Sequence, residues 1–311
     1  MNMGFLLIQS HQNLLHSVPY PLITRLNAAR YTFNVLDGTK FKVLAIYFLF
    51  IEQSFVNSCD LDHNVSMLVV DSHIHCGVQN VSQPFRGIQP LLSMAGIERA
   101  CLFAPVEDIY DRWFPDFDDN QMWRSTRQRA HEYLLKVASE NPGIYPYYFV
   151  WNDFCIDDLD PAFKGIKWHH HAGEPEYLYD DPRCTKMIDA ICERKLPIVL
   201  EETIETTLRF IKQVAGRTAV IIPHLGMLNG GYDRLESAEV WNDETVYADT
   251  ALADRREILN FLGRHGSDRL LFGSDYPFGN PGPQLEALKQ MGIDGEHLEN
   301  ICSKNILRLL P

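Results

Sequence analysis

After Met67 the chain alternates short apolar segments with amphipathic ones, and that rhythm limits the fold more than any other feature. The apolar segments are Met67–His73, Ala100–Ala104, Ile144–Val150, Gly165–His169, Pro197–Glu201, Ala219–His224, Val246–Thr250 and Arg269–Asp275. Each has the length of a buried strand. Helical patterns lie between most of them, at Arg183–Arg194, Ile204–Val214, Asp254–Arg264 and Gln284–Met291, with a last one over 296–310. Strands that alternate with helices pair in parallel through right-handed crossovers. A (β/α)8 barrel takes about 250 residues, which residues 67–311 supply. A doubly wound open sheet would need a glycine-rich phosphate loop after its first strand. The segment Asp71-Ser-His-Ile-His-Cys-Gly77 is not one. The expected architecture is an α/β fold, a (β/α)8 TIM barrel over residues 67–311. Residues 1–66 form an N-terminal extension without this rhythm, read as helical over 22–36 and 41–55.

Charge and cysteine usage exclude several classes of function. The formal net charge is −13, which opposes binding to nucleic acid or to an anionic membrane surface. The strongest apolar run, Val43 to Ile51, is far shorter than the roughly 20 residues of a membrane span. The cysteine count of seven is odd, and no CxxC pair occurs. Reduced thiols in a cytoplasmic protein are the expected state. The expected partner is a small-molecule substrate, with self-assembly into a homo-oligomer left open.

Polar residues gather at the strand ends from which a barrel builds its active site. Strand one ends in Asp71, His73 and His75, strand four in Lys167 and His169, and strand five in Glu201 and Glu202. Strands six, seven and eight end in His224, Asp249 and Asp275. His73 and His75 are two apart, so an extended backbone turns both to one side, as a two-point metal grip requires. Taken singly, each residue has an ordinary explanation: a strand-end histidine, a turn aspartate, or a lysine in a buried ion pair with Glu201 or Glu202. Taken together they fall at one end of one architecture. The acidic run 116–120, with Trp113 and Trp123 nearby, reads either as a lid over the site or as a solvated loop.

The ordered set Asp71-Ser-His73-Ile-His75, Gly165-Ile-Lys167, Pro223-His224-Leu-Gly226 and Gly273-Ser-Asp275-Tyr-Pro277 resembles the amidohydrolase-2 family of metal-dependent barrel hydrolases and decarboxylases. The resemblance runs from about Met67 to Leu310. It implies that His73, His75 and Asp275 ligate a divalent metal, and that Asp275 accepts the proton of an attacking water. It implies that His224 orients water or polarises the substrate. Lys167 or His169 would hold an anionic substrate group. The family's strand-five histidine is replaced in Pro197-Ile-Val-Leu-Glu201, so Glu201 is the expected fourth ligand. Zn2+ is the expected ion, with Mn2+ and Fe2+ as alternatives that suit a glutamate donor. The implied activity is hydrolysis of an amide, lactone or related ester bond through metal-activated water. The alternatives are non-oxidative decarboxylation of an unsaturated or aromatic acid, or a catalytically impaired barrel.

The boundary before Met67 gives the first prediction. A chain beginning at Met67 should fold, take up metal and keep turnover, with altered solubility or assembly at most. Insolubility of that shortened chain, seen in a simple expression and circular-dichroism comparison, would make residues 1–66 integral to the barrel.

Overall fold

The computed structural model describes residues 67–77, 84–114 and 116–311. The helical readings over 22–36 and 41–55 lie outside these residues. Eight strands form one sheet in the order β1-β2-β3-β4-β5-β6-β7-β8. They are β1 Val70–His75, β2 Arg99–Phe103, β3 Ile144–Phe149, β4 Gly165–His169, β5 Ile198–Glu201, β6 Val220–Ile222, β7 Val246–Asp249 and β8 Leu270–Leu271. Every neighbouring pair is parallel. The sheet closes through a parallel bridge between Ile74 and Tyr276. Flanking hydrogen bonds extend the seam: Ser72 N–H to Phe272 O at 2.9 Å, Asp275 N–H to His73 O at 2.8 Å, and His75 N–H to Tyr276 O at 2.8 Å. Asp71 Oδ1 reinforces it by accepting from the backbone N–H groups of His73 (3.1 Å) and Ser274 (3.0 Å). Burial pushes the Asp71 carboxyl up to about 7.

The helices are α1 Phe85–Ala95, α2 Gln121–Glu140, α3 Pro182–Glu193, α4 Ile204–Val214, α5 Tyr232–Ser237, α6 Arg255–His265, α7 Pro281–Lys289, α8 Gly295–Glu299 and α9 Asn305–Leu309. Local sequence sets their starts. Asp181 and Asn280 each accept a backbone N–H of the first turn and are followed by proline at the first helical position, where its missing N–H has no cost. Thr203 caps α4 in the same manner and Glu205 adds a negative charge to its first turn. The β3–β4 connection carries only a short 3-10 turn, Ile156–Asp158.

Two apolar layers follow from strand alternation. Inside the barrel, Val70, Cys101, Phe103, Tyr147, Val199, Ile221 and Leu271 pack together, and Ile306 of α9 closes the floor. Gly165 is required there. A Cβ at that position would lie 2.3 Å from the Tyr147 ring, so the glycine on β4 makes room for the tyrosine on β3. Outside, the alternate residues pack against the helices.

The helix α2 departs from simple amphipathicity, which explains why its pattern is weak in the sequence. Its buried face includes Arg127 and His131 beside Leu134 and Val137. Arg127 donates to Asp119 (2.8 and 3.0 Å), to Asp153 (2.8 and 3.0 Å) and to Ile109 O (3.0 Å). That fork fastens the β2–α2 connection to the β3–β4 connection. His131 Nε2 accepts the Phe149 N–H at 3.0 Å. Burial, with Arg127 nearby, pushes this imidazole down to about 3.

An unfolded chain protonates His131 near 6.5, whereas the folded chain does not until about pH 3. Stability should therefore be intact above pH 6.5 and fall as pH drops through that window, by about 1.4 kcal/mol per pH unit. In urea titrations at pH 7.5 and pH 5, His131→Gln should flatten the acid-side loss by about 2 kcal/mol relative to the parent chain. Equal slopes would show that His131 is not held neutral.

Candidate metal centre

Closure of β1 onto β8 brings His73 and His75 against Asp275. His73 Nε2 and His75 Nε2 each lie 3.3 Å from Asp275 Oδ1. Behind them, Asp249 at the end of β7 accepts from His73 Nδ1 at 2.8 Å. This fixes Nδ1 as the protonated nitrogen and turns the Nε2 lone pair toward Asp275. The other Asp249 oxygen accepts the backbone N–H groups of His224 (2.9 Å) and Ala251 (3.1 Å). Burial raises the Asp249 carboxyl, but His73 and His224 outweigh it and hold it below the usual carboxylate range.

His224 follows β6 after Pro223. Its Nδ1 donates to Ala251 O at 2.9 Å, and its Nε2 lies 3.8 Å from Glu201 Oε2 and 3.9 Å from Asp275 Oδ2. Burial disfavours its charged form, but Glu201 overrides this and holds the imidazole up to about 9. For Asp275 the opposition of burial is likewise overcome, by His73 and His75, which bring it down to about 2. His224, Leu225 and Asp275 all have φ near +50°, in the left-handed region that costs a non-glycine residue on the order of 1–3 kcal/mol. The hydrogen bonds that His224 N–H donates to Asp249 and that Asp275 N–H donates to His73 O hold these backbones in place. This left-handed turn also ends β6 at Ile222, before the histidine that the apolar run includes.

A second charged group lies beside the first. Glu201 Oε2 accepts from Lys167 Nζ at 2.9 Å. Its Oε1 contacts His171 Nε2 and lies 3.4 Å from His169 Nε2. Lys167 Nζ is also 3.4 Å from His73 Nε2. Burial pushes the Glu201 carboxyl up, but Lys167 and His169 hold it well below its ordinary value. On the outer side, Glu174 accepts from Arg112 Nε at 2.7 Å and from Tyr110 OH at 2.8 Å. Arg112 Nη2 reaches His171 Nδ1 at 3.2 Å.

Some of these groups line a cavity of about 200 Å³ at the barrel mouth. Its floor carries His75, His169, His171, Glu201, His224 and Asp275, with Arg112 on the wall. Val106, Leu228, Leu252 and Phe278 supply an apolar wall. A larger hollow of about 740 Å³, bounded by His170, Tyr179, Glu202 and Arg209, shares no residue with it. Strand alternation explains the division: His169, His171 and Glu201 point one way, His170 and Glu202 the other.

Two triads of buried donors overlap at His73: His73–His75–Asp275 and His73–Glu201–His224. Within each, the donor atoms lie within 4.8 Å of one another. Imidazole nitrogens with carboxylate oxygens, one histidine already oriented by a carboxylate, fit a first-row divalent cation. The third cluster, His169–His171–Glu174, already receives the Arg112 guanidinium, which occupies the position of a cation there.

Of the residues singled out in the sequence, His73, His75, His224, Glu201, Asp275 and His169 meet around this one mouth. Lys167 is fully buried against Glu201, beneath the wall rather than on it. The open cation of the wall is Arg112. Its partner Glu174 is 62 residues away in the chain, so no local signal announces the pair. The acidic run 116–120, read either as a lid or as a solvated loop, contributes no residue to this cavity, whereas the part of the β2–α2 connection before it supplies Val106 and Arg112 to the wall. The position of Asp249 was visible as a polar strand end, but its role as the partner of His73 was not.

A family model for amidohydrolases matches residues 70–311, and the chain belongs to that family. Among solved structures, a 2,6-dihydroxybenzoate decarboxylase from Rhizobium superposes with a TM-score of 0.62 at 14% identity, covering 78% of this chain and 98% of that one. A protein from Pseudomonas putida assigned as a 2-pyrone-4,6-dicarboxylic acid hydrolase gives 0.59 at 14% identity, over 79% and 98%. A dihydroxybenzoic acid decarboxylase from Polaromonas, with bound manganese and the inhibitor 2-nitroresorcinol, gives 0.59 at 12% identity, over 78% and 96%. At these identities the likeness is one of fold. No curated protein matches the chain. Membership of that family supports an enzyme, and the solved structures of similar fold include both decarboxylases and a protein assigned as a hydrolase. No helix among the described residues is long and apolar enough to cross a membrane.

If Asp249 orients His73 for a metal, Asp249→Asn should weaken zinc affinity by about 10–100-fold with the circular-dichroism spectrum unchanged. Competition against a chromophoric chelator measures this. Unaltered affinity would remove Asp249 from the centre.

Proposed function

We propose that this chain is a metal-dependent hydrolase that cleaves an amide, lactone or related ester bond of a small molecule. The observation that carries the reading is the facing of Asp275 and His224 across the cavity floor, 3.9 Å apart. Hydrolysis needs one group to take a proton from water and a second to steady the oxygen on which charge develops. Asp275 has a carboxylate oxygen, Oδ2, turned toward His224 and takes the first role, returning the proton to the leaving group. His224, its Nδ1 fixed on Ala251 O, presents Nε2 to the cavity for the second. His73, His75, Asp275 and Glu201 would hold the ion, Zn2+ in this proposal, with Mn2+ and Fe2+ as alternatives. Bound there, a divalent cation supplies Lewis acidity, lowering the pKa of water and polarising a carbonyl oxygen. His169 and Arg112 lie where an anionic substrate group would be received. Free thiols at all six described cysteines accord with a cytoplasmic setting.

The apolar wall supports a second reading, decarboxylation of an unsaturated or aromatic acid. Val106, Leu252 and Phe278 would take the ring while the polar floor takes the carboxylate. The Rhizobium and Polaromonas relatives are decarboxylases.

The metal-supplemented protein should be assayed with lactones, amides and hydroxybenzoates, following ring opening and carbon dioxide release in parallel. Ring opening or amide cleavage that a chelator abolishes is the expected result. Carbon dioxide release without hydrolysis would establish the second reading. Asp275→Asn should lower kcat by about 10²–10⁴-fold. His224→Asn should also lower kcat while keeping most of the metal. Equal metal loss in both variants would make His224 a ligand instead.

A further inference from the structure

Lys167 and Glu201 form an ion pair in the barrel interior whose two members are 0% and 3% exposed. The strand register makes it: Lys167 on β4 lies opposite Val199, and His169 opposite Glu201, so the long lysine stem reaches two residues further along its neighbour, to the next side chain on the same face. The carboxylate is the partner of Nζ at 2.9 Å, His73 Nε2 lies at 3.4 Å, and the Phe103 ring lies beneath it with its centroid at 5.3 Å. A buried ammonium is strongly disfavoured without an anionic partner, so Lys167 depends on Glu201. The reverse dependence concerns the metal. Glu201 in place of a neutral histidine makes the donor set one charge more negative, beside Asp275 and backed by Asp249.

We propose that Lys167 is a built-in counter-ion to the metal centre, and that the Lys167–Glu201 pair together stands in for one neutral ligand. The proposal rests on the metal-centre reading above. Glu201 supplies the donor oxygen, Lys167 cancels its charge, and the net charge around the cation stays that of a shell with a histidine on strand five. A surplus carboxylate would bind the cation more tightly but blunt its Lewis acidity, because each anionic donor offsets part of its charge. Lys167 thus sets the charge of the centre without facing the cavity.

The sign of the lysine's effect decides the matter. Zinc affinity should be measured by chelator competition on the full chain and on K167M, E201H and E201H/K167M, with stoichiometry by atomic emission. K167M should bind zinc at least fivefold more tightly than the parent, since a positive charge beside the cation is gone. E201H, which leaves Lys167 unpaired next to the cation, should bind at least 100-fold more weakly. E201H/K167M, a neutral pair, should regain at least tenfold over E201H. Should E201H not fold, K167M and the neutral double variant carry the comparison, the latter expected within about tenfold of the parent. Unchanged or weaker zinc binding by K167M would show that the lysine only anchors Glu201 and would overturn the proposal. A double variant that binds no better than E201H would overturn it as well. A parent chain that takes up no zinc, manganese or iron would instead sink the metal-centre reading itself, a result visible before any substitution.

Discussion

The seam between β1 and β8 is the constraint on which the rest of the structure depends. β8 has only two residues in the ladder, so little regular pairing closes the barrel. The closure relies instead on irregular backbone bonds and on Asp71, whose one oxygen gathers N–H groups from both sides. The same bonds set the spacing of His73, His75 and Asp275. Folding and site assembly are therefore one event at this edge. The left-handed backbone at Asp275 is tolerable because the seam over-determines it.

Charge inside the barrel is arranged in pairs. His73 leans on Asp249, Lys167 on Glu201, and Arg112 on Glu174. Each pair joins different strands or connections, so each is also a cross-brace. Removing one member would leave its partner buried and unmatched, which costs more than the pair itself contributes. The mouth is thus a rigid lattice of oriented donors rather than a loose collection of polar side chains, a condition for holding a cation and a substrate in fixed relation.

How much of this was legible in the sequence depended on the distance over which each signal acts. Alternation along a strand is local, so the convergence of His73, His75, His169, Glu201 and Asp275 could be read from spacing alone. The barrel followed from the same rhythm. The helix Gln121–Glu140 was not legible because its buried face spends positions on Arg127 and His131, whose partners are supplied by other connections. Strand β6 is shorter than its apolar run because the chain turns left-handed at His224, and β8 leaves the ladder after Leu271, where Phe272 N–H bonds to Ile301 O instead, neither of which hydrophobicity reports. Lys167 shows the limit most clearly. Spacing gives its direction, inward, but only the register of β4 on β5 shows that its charge meets Glu201 before it can meet anything in the cavity.

The doublets His169-His170 and Glu201-Glu202, at the ends of β4 and β5, carry a consequence for how this chain can vary. His169 and Glu201 face the barrel mouth, while the very next residues, His170 and Glu202, face a separate hollow and bond to each other at 2.9 Å. Each compartment thus holds a histidine and a glutamate from the same two strands, offset by a single residue. A one-residue insertion or deletion in either strand would still present a plausible imidazole or carboxylate to the mouth, but from the wrong neighbour and without Lys167 or Tyr110 to hold it. The two strands must therefore keep their lengths in step. Changes of length are tolerable only in the connections beyond the mouth, and those connections are where a new substrate preference could arise without disturbing the charges below.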